Sequence, residues 1–181
     1  MVYELSRKLA DQSYQHWVSF ELFSFNWFIL IIVNIIFYGI WLKLLDKRKL
    51  NHLLLIGSLS AVGYLIGDNV LFGFFGVAEY KVSLTPFMPS LFIISVTLSP
   101  VIIMLAEQYM SSWSGYFLWI SIGMGFLAFV ILPIYYQLGI FQLHNWKYLY
   151  QFLYFTASGL IVRVVFLWII RIEQRHHISG Y

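Results

Sequence analysis

Long apolar segments separated by short polar stretches constrain this chain more than any other feature. Residues 22–42 contain no charged side chain, and a helix rising about 1.5 Å per residue would cross the roughly 30 Å hydrocarbon core over that length. Four further segments of similar character follow. Charged residues make up only 10% of the chain, against roughly 25% in soluble domains. The predicted fold is therefore an all-α membrane protein, a five-transmembrane-helix bundle.

The residues before the first span have a different pattern. Apolar side chains of residues 1–21 gather on one side of a helix and charged ones fill the rest. This pattern is typical of an amphipathic helix lying in the membrane interface, and a frayed polar tail is the alternative. We therefore expect an interfacial helix over residues 1–21, a five-helix membrane domain over residues 22–171 and a cytoplasmic tail over residues 172–181.

The loop between the first two spans sets the expected orientation. It carries Lys43, Lys47, Arg48 and Lys49, and short loops rich in Lys and Arg stay in the cytoplasm. We therefore expect the N-terminus outside and the C-terminus in the cytoplasm.

Several kinds of site are excluded by what the spans lack. The chain has no cysteine, so it has no disulfide and no thiolate ligand or nucleophile. No histidine or lysine falls in the middle of a span, which argues against a bis-histidine haem or a retinal Schiff base. The pair His176 and His177 lacks a third metal ligand. We expect no cofactor, no metal site and no nucleic-acid partner.

The second predicted span, residues 53–76, contains the most informative side chain. Asp68 lies well inside this apolar segment, where a carboxylate costs at least about 2.5 kcal/mol. Gly63 and Gly67 form a small-xxx-small pair that lets another helix approach closely. Asp68 either fixes helix packing through hydrogen bonds or is a protonatable group in an aromatic cavity that faces outward. The predicted ligand-binding residues of that cavity are Asn26, Asn34, Tyr64, Asn69, Tyr135 and Tyr136.

Depth in the membrane decides which charges can meet. At about 1.5 Å per residue, Asp68 lies roughly 22 Å above the cytoplasmic end of its span, whereas Glu107 lies only about 4–5 Å above the end of its own. Asp68 and Glu107 therefore do not form a carboxylate pair. Arg163 lies about 10 Å above the end of the fifth span, and its long side chain can reach Glu107. We expect an intramembrane ion pair between Glu107 and Arg163, with extension of Arg163 to the headgroups as the alternative.

Three short patterns, FSFNW at 23–27, LLDKRKL at 44–50 and NWKYLY at 145–150, occur in order with single residues such as Asp68 and Pro133 between them. Together they resemble an uncharacterised family of small multi-span membrane proteins from spore-forming Firmicutes. The resemblance covers nearly the whole chain and implies a bacterial inner-membrane protein, but no activity. The family usually has Glu where this chain has Leu132, so an acid pair at the depth of Asp68 is not expected here.

The functional hypotheses belong to different classes. The first is a protein that handles a membrane lipid or another apolar, isoprenoid-like small molecule. Such a protein could be an intramembrane cyclase with Asp68 as general acid. The second is a small transporter or channel subunit. The third is a sensory or accessory subunit in which Asp68 is structural. Catalysis, a homo-oligomer and a partner membrane subunit all stay open.

Overall fold

A computed structural model describes residues 2–86 and 94–178, which form a bundle of helices. The α-helices are α1 (Val2–His16), α2 (Phe25–Leu44), α3 (Leu50–Asp68), α4 (Ser99–Tyr109), α5 (Trp113–Phe126), α6 (Leu132–Gln137) and α7 (Tyr148–Ile178). Wider π-helical turns continue some of them, at Trp17–Glu21, Asn69–Phe74, Ile94–Leu98 and Leu127–Ile131. A 3-10 turn, Lys47–Lys49, precedes α3.

Four helical stretches of the described residues are long and apolar enough to cross a membrane. They are Phe25–Leu44, Lys47–Phe74, Trp113–Gln137 and Tyr148–Arg175. The protein is thus an all-α membrane protein, as the sequence predicts. The third predicted span corresponds to a shorter apolar helix, Ile94–Tyr109, and its expected start lies in 87–93, outside the described residues. The count of five spans stays a prediction.

Two prolines lie where a π-helical turn meets a regular α-helix. Pro100 lies in the first turn of α4, directly after Ile94–Leu98, and Pro133 lies in the first turn of α6, directly after Leu127–Ile131. Proline has no N–H to donate and its ring collides with the preceding turn. A widened turn is one of the known ways to accommodate that irregularity in a helix. The irregularity at each proline therefore takes the form of a change in helix type.

Hydroxyl and carboxyl side chains cap the helices at the ends of the apolar segments. Ser24 accepts a hydrogen bond from the backbone N–H of Trp27 at the start of α2. Ser112 does the same for Gly115 at the start of α5. Such caps satisfy N–H groups that have no partner within the helix. They help to define where α2 and α5 begin.

A small two-stranded sheet departs from the purely helical expectation. β1 (Ala78–Tyr80) pairs with β2 (Phe141–Leu143) in antiparallel register, with Glu79 opposite Gln142. Gly76 and Gly139 precede the strands with φ values of +61° and +70°, a backbone conformation that glycine adopts without strain. Both glycines end a helix at the same end of the bundle, so the extended residues that follow can satisfy each other's backbone groups. Hydropathy does not reveal such short strands.

The bundle has two distinct ends. The strand end holds β1 and β2, and Asn26 at the start of α2 donates there to the carbonyl of Leu138 at 2.8 Å. The basic end holds the loop of residues 43–49. There the Gln108 side-chain amide donates to the carbonyl of Leu44 at 2.7 Å and its oxygen accepts from the backbone N–H of Asp46 at 2.9 Å. Gln108 therefore joins the end of α4 to the basic loop.

The core is centred on α4. Residues Ser99 to Ala106 of that helix are all buried, and α4 packs against α3, α5 and α2. The predicted close approach at Gly63 and Gly67 is present, because both positions face α7 side chains, Val162 and Tyr154 respectively. By contrast, only 11% of the residues in the most apolar part of α2 are buried inside the bundle, against 33% in the stretch that contains α3. α2 is a peripheral helix.

The outer segments differ from the predicted boundaries in one respect. α1 and its π-helical extension cover Val2 to Glu21, in agreement with the helix expected over residues 1–21. α7 continues to Ile178, so residues 172–178 extend the last helix and do not form a separate tail. A helix of 31 residues is about 46 Å long, longer than a bilayer core, so its final turns continue beyond the membrane-spanning part.

Candidate functional site

Asp68 joins α3 to α7. Its side chain is completely buried, and the Tyr154 hydroxyl donates to its Oδ1 at 2.9 Å. The preceding residue makes this contact feasible, because a Cβ at Gly67 would overlap the Tyr154 hydroxyl. A buried polar group is expected to have such a partner, since leaving it unpaired costs about 1–3 kcal/mol.

Further polar atoms surround this carboxyl. Among the described residues, Asp68 Oδ2, Ser95 Oγ and Tyr135 OH are buried without a hydrogen-bond partner. The Ser95 hydroxyl faces the Asp68 carboxyl. Burial raises the pKa of Tyr80 well above its usual range, and its electrostatic interactions with Asp68 and then Tyr135 raise it further. Tyr80 of β1 therefore belongs to the same cluster.

The structure does not gather the predicted ligand-binding residues around Asp68. The Asn26 amide reaches Leu138, while the amides of Asn34 and Asn69 donate to carbonyls one turn earlier in their own helices. Tyr136 is exposed. Of this set, Tyr64 interacts electrostatically with Asp68, while Tyr135 is buried and interacts with Tyr80. The expected neighbours from the first span are absent because α2 is peripheral, and α7 with the turn before α4 takes their place.

The outward-facing cavity expected at Asp68 stays a prediction. The carboxyl is enclosed by α3, α7 and the turn before α4, and its exposed fraction is 0%. Residues 1–21 are attached to the loop after β1, where the Trp17 indole donates to the carbonyl of Ser83 at 3.0 Å.

Glu107 and Arg163 meet at the basic end. Arg163 Nε lies 3.1 Å from Glu107 Oε2, in line with the pairing expected from depth. The remaining guanidinium nitrogens donate to the carbonyls of Met110, Ser111 and Ser112 at 3.0–3.2 Å. The guanidinium carbon also lies 4.1 Å from the ring centre of Tyr116 and 4.8 Å from that of Trp113. Arg163 thus holds the turn between α4 and α5 and does not extend to lipid headgroups.

Two buried tyrosines bind the backbone of α7. The Tyr64 hydroxyl donates to the carbonyl of Phe155 at 2.7 Å, and the Tyr116 hydroxyl donates to that of Gly159 at 3.1 Å. The two carbonyls are one helical turn apart. With Tyr154 and Arg163, these contacts form a polar line along α7 that connects it to α3, α4 and α5. This line rigidifies the bundle and has the character of a structural network.

A groove runs along α3 on the surface of the bundle. It has a volume of about 230 Å³ and lies between α2, α3 and the segment of residues 96–104. The residues that line it are Tyr38, Trp41, Leu54, Gly57, Ser58, Ala61, Val96, Pro100 and Met104. Leu54 and Tyr38 are 47% and 37% exposed, so the groove opens onto the apolar surface of the bundle.

Both the shape and the chemistry of the groove have identifiable origins. α2 packs against α4 and the turn before it, with few contacts to α3, and this leaves the space. Gly57 deepens it, because a Cβ there would come within 2.7 Å of Met104 Sδ. The Trp41 indole N–H is buried and has no acceptor among the described residues. The groove is therefore mostly apolar, and the buried Trp41 N–H lies in a residue that lines it.

Sequence reasoning missed Tyr154 and the groove residues. Tyr154 is one of 13 tyrosines in the chain, and nothing in its local pattern distinguishes it from a packing residue. The Gly67-Asp68 dipeptide was the available signal, since a small residue beside a buried acid permits close approach by a partner. The groove has no comparable signal because it depends on how far α2 stands from α3.

Comparisons of this chain with protein-family models, with curated proteins and with solved structures find no match.

Proposed function

We propose that this membrane protein binds a hydrocarbon chain of a membrane lipid in the groove between α2, α3 and α4. The supporting observation is the groove itself, which is apolar, open on the lipid-facing side and formed by helices of spanning length. Its volume of about 230 Å³ is below the roughly 300–1,000 Å³ of sites for drug-sized molecules. It is suited to a segment of one chain and not to a whole folded ligand.

This proposal keeps the lipid ligand expected from the sequence, but it places the binding site in the groove and not at Asp68. An acid-catalysed cyclase needs its general acid within hydrogen-bond reach of the substrate. The Asp68 carboxyl is enclosed and bonded to Tyr154, so it has a structural role in this proposal. Binding and not catalysis is the proposed activity, and a homo-oligomer or a partner subunit stays a prediction.

The proposed location is a bacterial inner membrane, with the chain crossing it several times and the N-terminus outside. The support is the sequence resemblance described above and the cluster of cations in residues 43–49. In this orientation the groove lies in the cytoplasmic half of the membrane, because its walls include Trp41 near the end of α2 and Leu54 near the start of α3.

The test is lipid binding to delipidated protein in mild detergent, measured by native mass spectrometry with phosphatidylcholine. Ser58→Phe places a large ring in the groove at an exposed position, and we expect bound lipid to fall several-fold. Val164→Phe is the matched control, since Val164 is exposed on α7 and lines no part of the groove. Equal lipid binding by the two variants would contradict the proposal. Equal melting temperatures would show that both remain folded.

A further inference from the structure

We infer that the lipid in the groove is an anionic phospholipid, with one chain between α2 and α3 and its phosphate on Lys43, Lys47 and Arg48. This inference rests on the proposed function and adds the headgroup chemistry to it. The observation behind it is the position of the basic loop. That loop connects α2 and α3, the two helices that flank the open side of the groove.

The distances along the helices fit a lipid whose headgroup lies beyond the end of its chains. Trp41 precedes Lys43 by two residues, or about 3 Å of helix rise, and Leu54 lies about 6 Å above the start of α3. The rim of the groove is therefore within about one helical turn of the loop on both sides. Lysine and arginine side chains extend farther than one turn, so their charges can reach a phosphate at that level.

Three cations of the basic loop are free to bind an anionic headgroup. Lys43, Lys47 and Arg48 are exposed, and no salt bridge involves them within the described residues. The fourth cation differs, because Lys49 Nζ donates to the carbonyl of Gln108 at 3.1 Å. Asp46, the acid of this loop, uses its carboxylate to accept from the backbone N–H of Arg48 at 3.0 Å. The loop thus presents a positive charge that the protein itself does not neutralise.

The other apolar and charged surfaces give less support for a lipid site. At the strand end, the exposed His144 side chain lies 3.6 Å from Glu79, and the cations Lys81 and Lys147 lie beside no described groove. The polar cluster at Asp68 is enclosed. Within the described residues, the basic end combines an open apolar groove with unpaired cations, and this combination matches the two parts of an anionic phospholipid.

The experiment compares phosphatidylglycerol with phosphatidylcholine of identical chains on the delipidated full-length protein, by native mass spectrometry. We expect the wild type to bind phosphatidylglycerol about tenfold more tightly, since exposed Lys and Arg side chains attract an anionic headgroup more strongly than a zwitterionic one. The variant Lys43→Gln/Lys47→Gln/Arg48→Gln should lose this preference. The control Lys81→Gln/Lys147→Gln removes two cations at the strand end and should keep it.

A second measurement uses the unaltered protein. Raising the salt concentration should weaken binding of phosphatidylglycerol and leave phosphatidylcholine unchanged, because salt screens exposed charges. This result does not depend on the folding or the orientation of any variant.

The outcomes distinguish a failure of headgroup binding at the basic loop from a failure of chain binding in the groove. Equal affinity for both lipids, with both weakened by Ser58→Phe, would overturn the headgroup inference and leave the groove as a chain-binding site. Phosphatidylglycerol binding that Ser58→Phe does not weaken, while phosphatidylcholine binding falls, would show a basic surface unconnected to the groove and would also overturn the inference. If Ser58→Phe weakened the binding of neither lipid, the proposed function would be wrong. Displacement of phosphatidylglycerol by an equimolar polyprenyl phosphate would overturn the assignment to a phospholipid.

Discussion

At the scale of single residues, the buried polar side chains of this protein connect helices to one another. Asp68 binds Tyr154, Tyr64 and Tyr116 bind carbonyls of α7, and Arg163 binds the turn between α4 and α5. In the apolar interior each such contact excludes alternative packings, because a shifted helix would leave polar atoms unpaired. The Asp68 and Arg163 contacts lie near opposite ends of the bundle and can be tested separately.

Substitutions at Asp68 should separate hydrogen bonding from charge. Asp68→Asn retains an oxygen that can accept from Tyr154, so we expect a melting temperature in detergent close to that of the wild type. Asp68→Leu removes the acceptor and should lower the free energy of unfolding by about 1–3 kcal/mol. Adding Tyr154→Phe to Asp68→Leu should recover part of that loss, because the unpaired hydroxyl is then absent. Equal losses for Asp68→Asn and Asp68→Leu would show that the carboxylate itself is required.

The Arg163 contacts predict an asymmetric mutant cycle. Glu107→Gln removes the ion pair but leaves the guanidinium its three carbonyl partners and two aromatic rings. Arg163→Gln removes all of them and leaves Glu107 without its partner, which should cost about 3–5 kcal/mol. The double variant should be no less stable than Arg163→Gln alone. Thermal unfolding of the four proteins measures this, and additive losses would contradict a direct interaction.

At the scale of elements, α1 has few contacts with the bundle. Besides a long hydrogen bond from the Ser13 hydroxyl to the carbonyl of Pro86 (3.5 Å), it is held through its π-helical extension. Its described side chains are nearly all exposed, including Leu5 and Leu9, and no buried core residue comes from it. The attachment lies in the π-helical extension, where Glu21 Oε2 accepts from the backbone N–H and the hydroxyl of Ser83 at 2.6 and 2.9 Å. The apolar side chains of α1 are then available to the membrane interface.

Removing that attachment should loosen α1 without affecting the bundle. Glu21→Ala should increase hydrogen exchange of the amides in residues 2–16 severalfold, since a helix held by few contacts opens locally. The melting temperature of the bundle should stay unchanged. Ser19→Ala, an exposed neighbour, is the control and should leave exchange as in the wild type. A drop in the melting temperature with Glu21→Ala would show that α1 supports the core.

At the scale of the whole molecule, the bundle has a strand end and a basic end, and an embedded bundle would present them to opposite sides of the membrane. Glu79 in β1 and Asn51 in α3 are exposed at these two ends. Ser83 is a poor reporter of the strand end, because it is only 9% exposed and bonded to Glu21. The chain has no cysteine, so single cysteines report position without background.

We expect Glu79→Cys to react with a membrane-impermeant maleimide in intact cells, and Asn51→Cys to react only after permeabilisation. The reason is the positive charge of residues 43–49, which favours a cytoplasmic location for the basic end. The reverse result would invert the orientation. Labelling of both positions from one side would contradict a membrane crossing by α3.

The sequence by itself determined the class of the protein and the main helices, and it predicted the pairing of Glu107 with Arg163 as one of two alternatives, between which the tertiary contacts decided. Apolar length and loop charge depend on composition along the chain, and depth along a helix follows from a constant rise per residue. The neighbours of Asp68 could not be predicted in this way, because several hydroxyl and amide side chains share its depth and only the arrangement of helices around α3 selects Tyr154. The groove, too, was decided by tertiary structure, since it exists only because α2 stands apart from α3, and no local pattern encodes that separation.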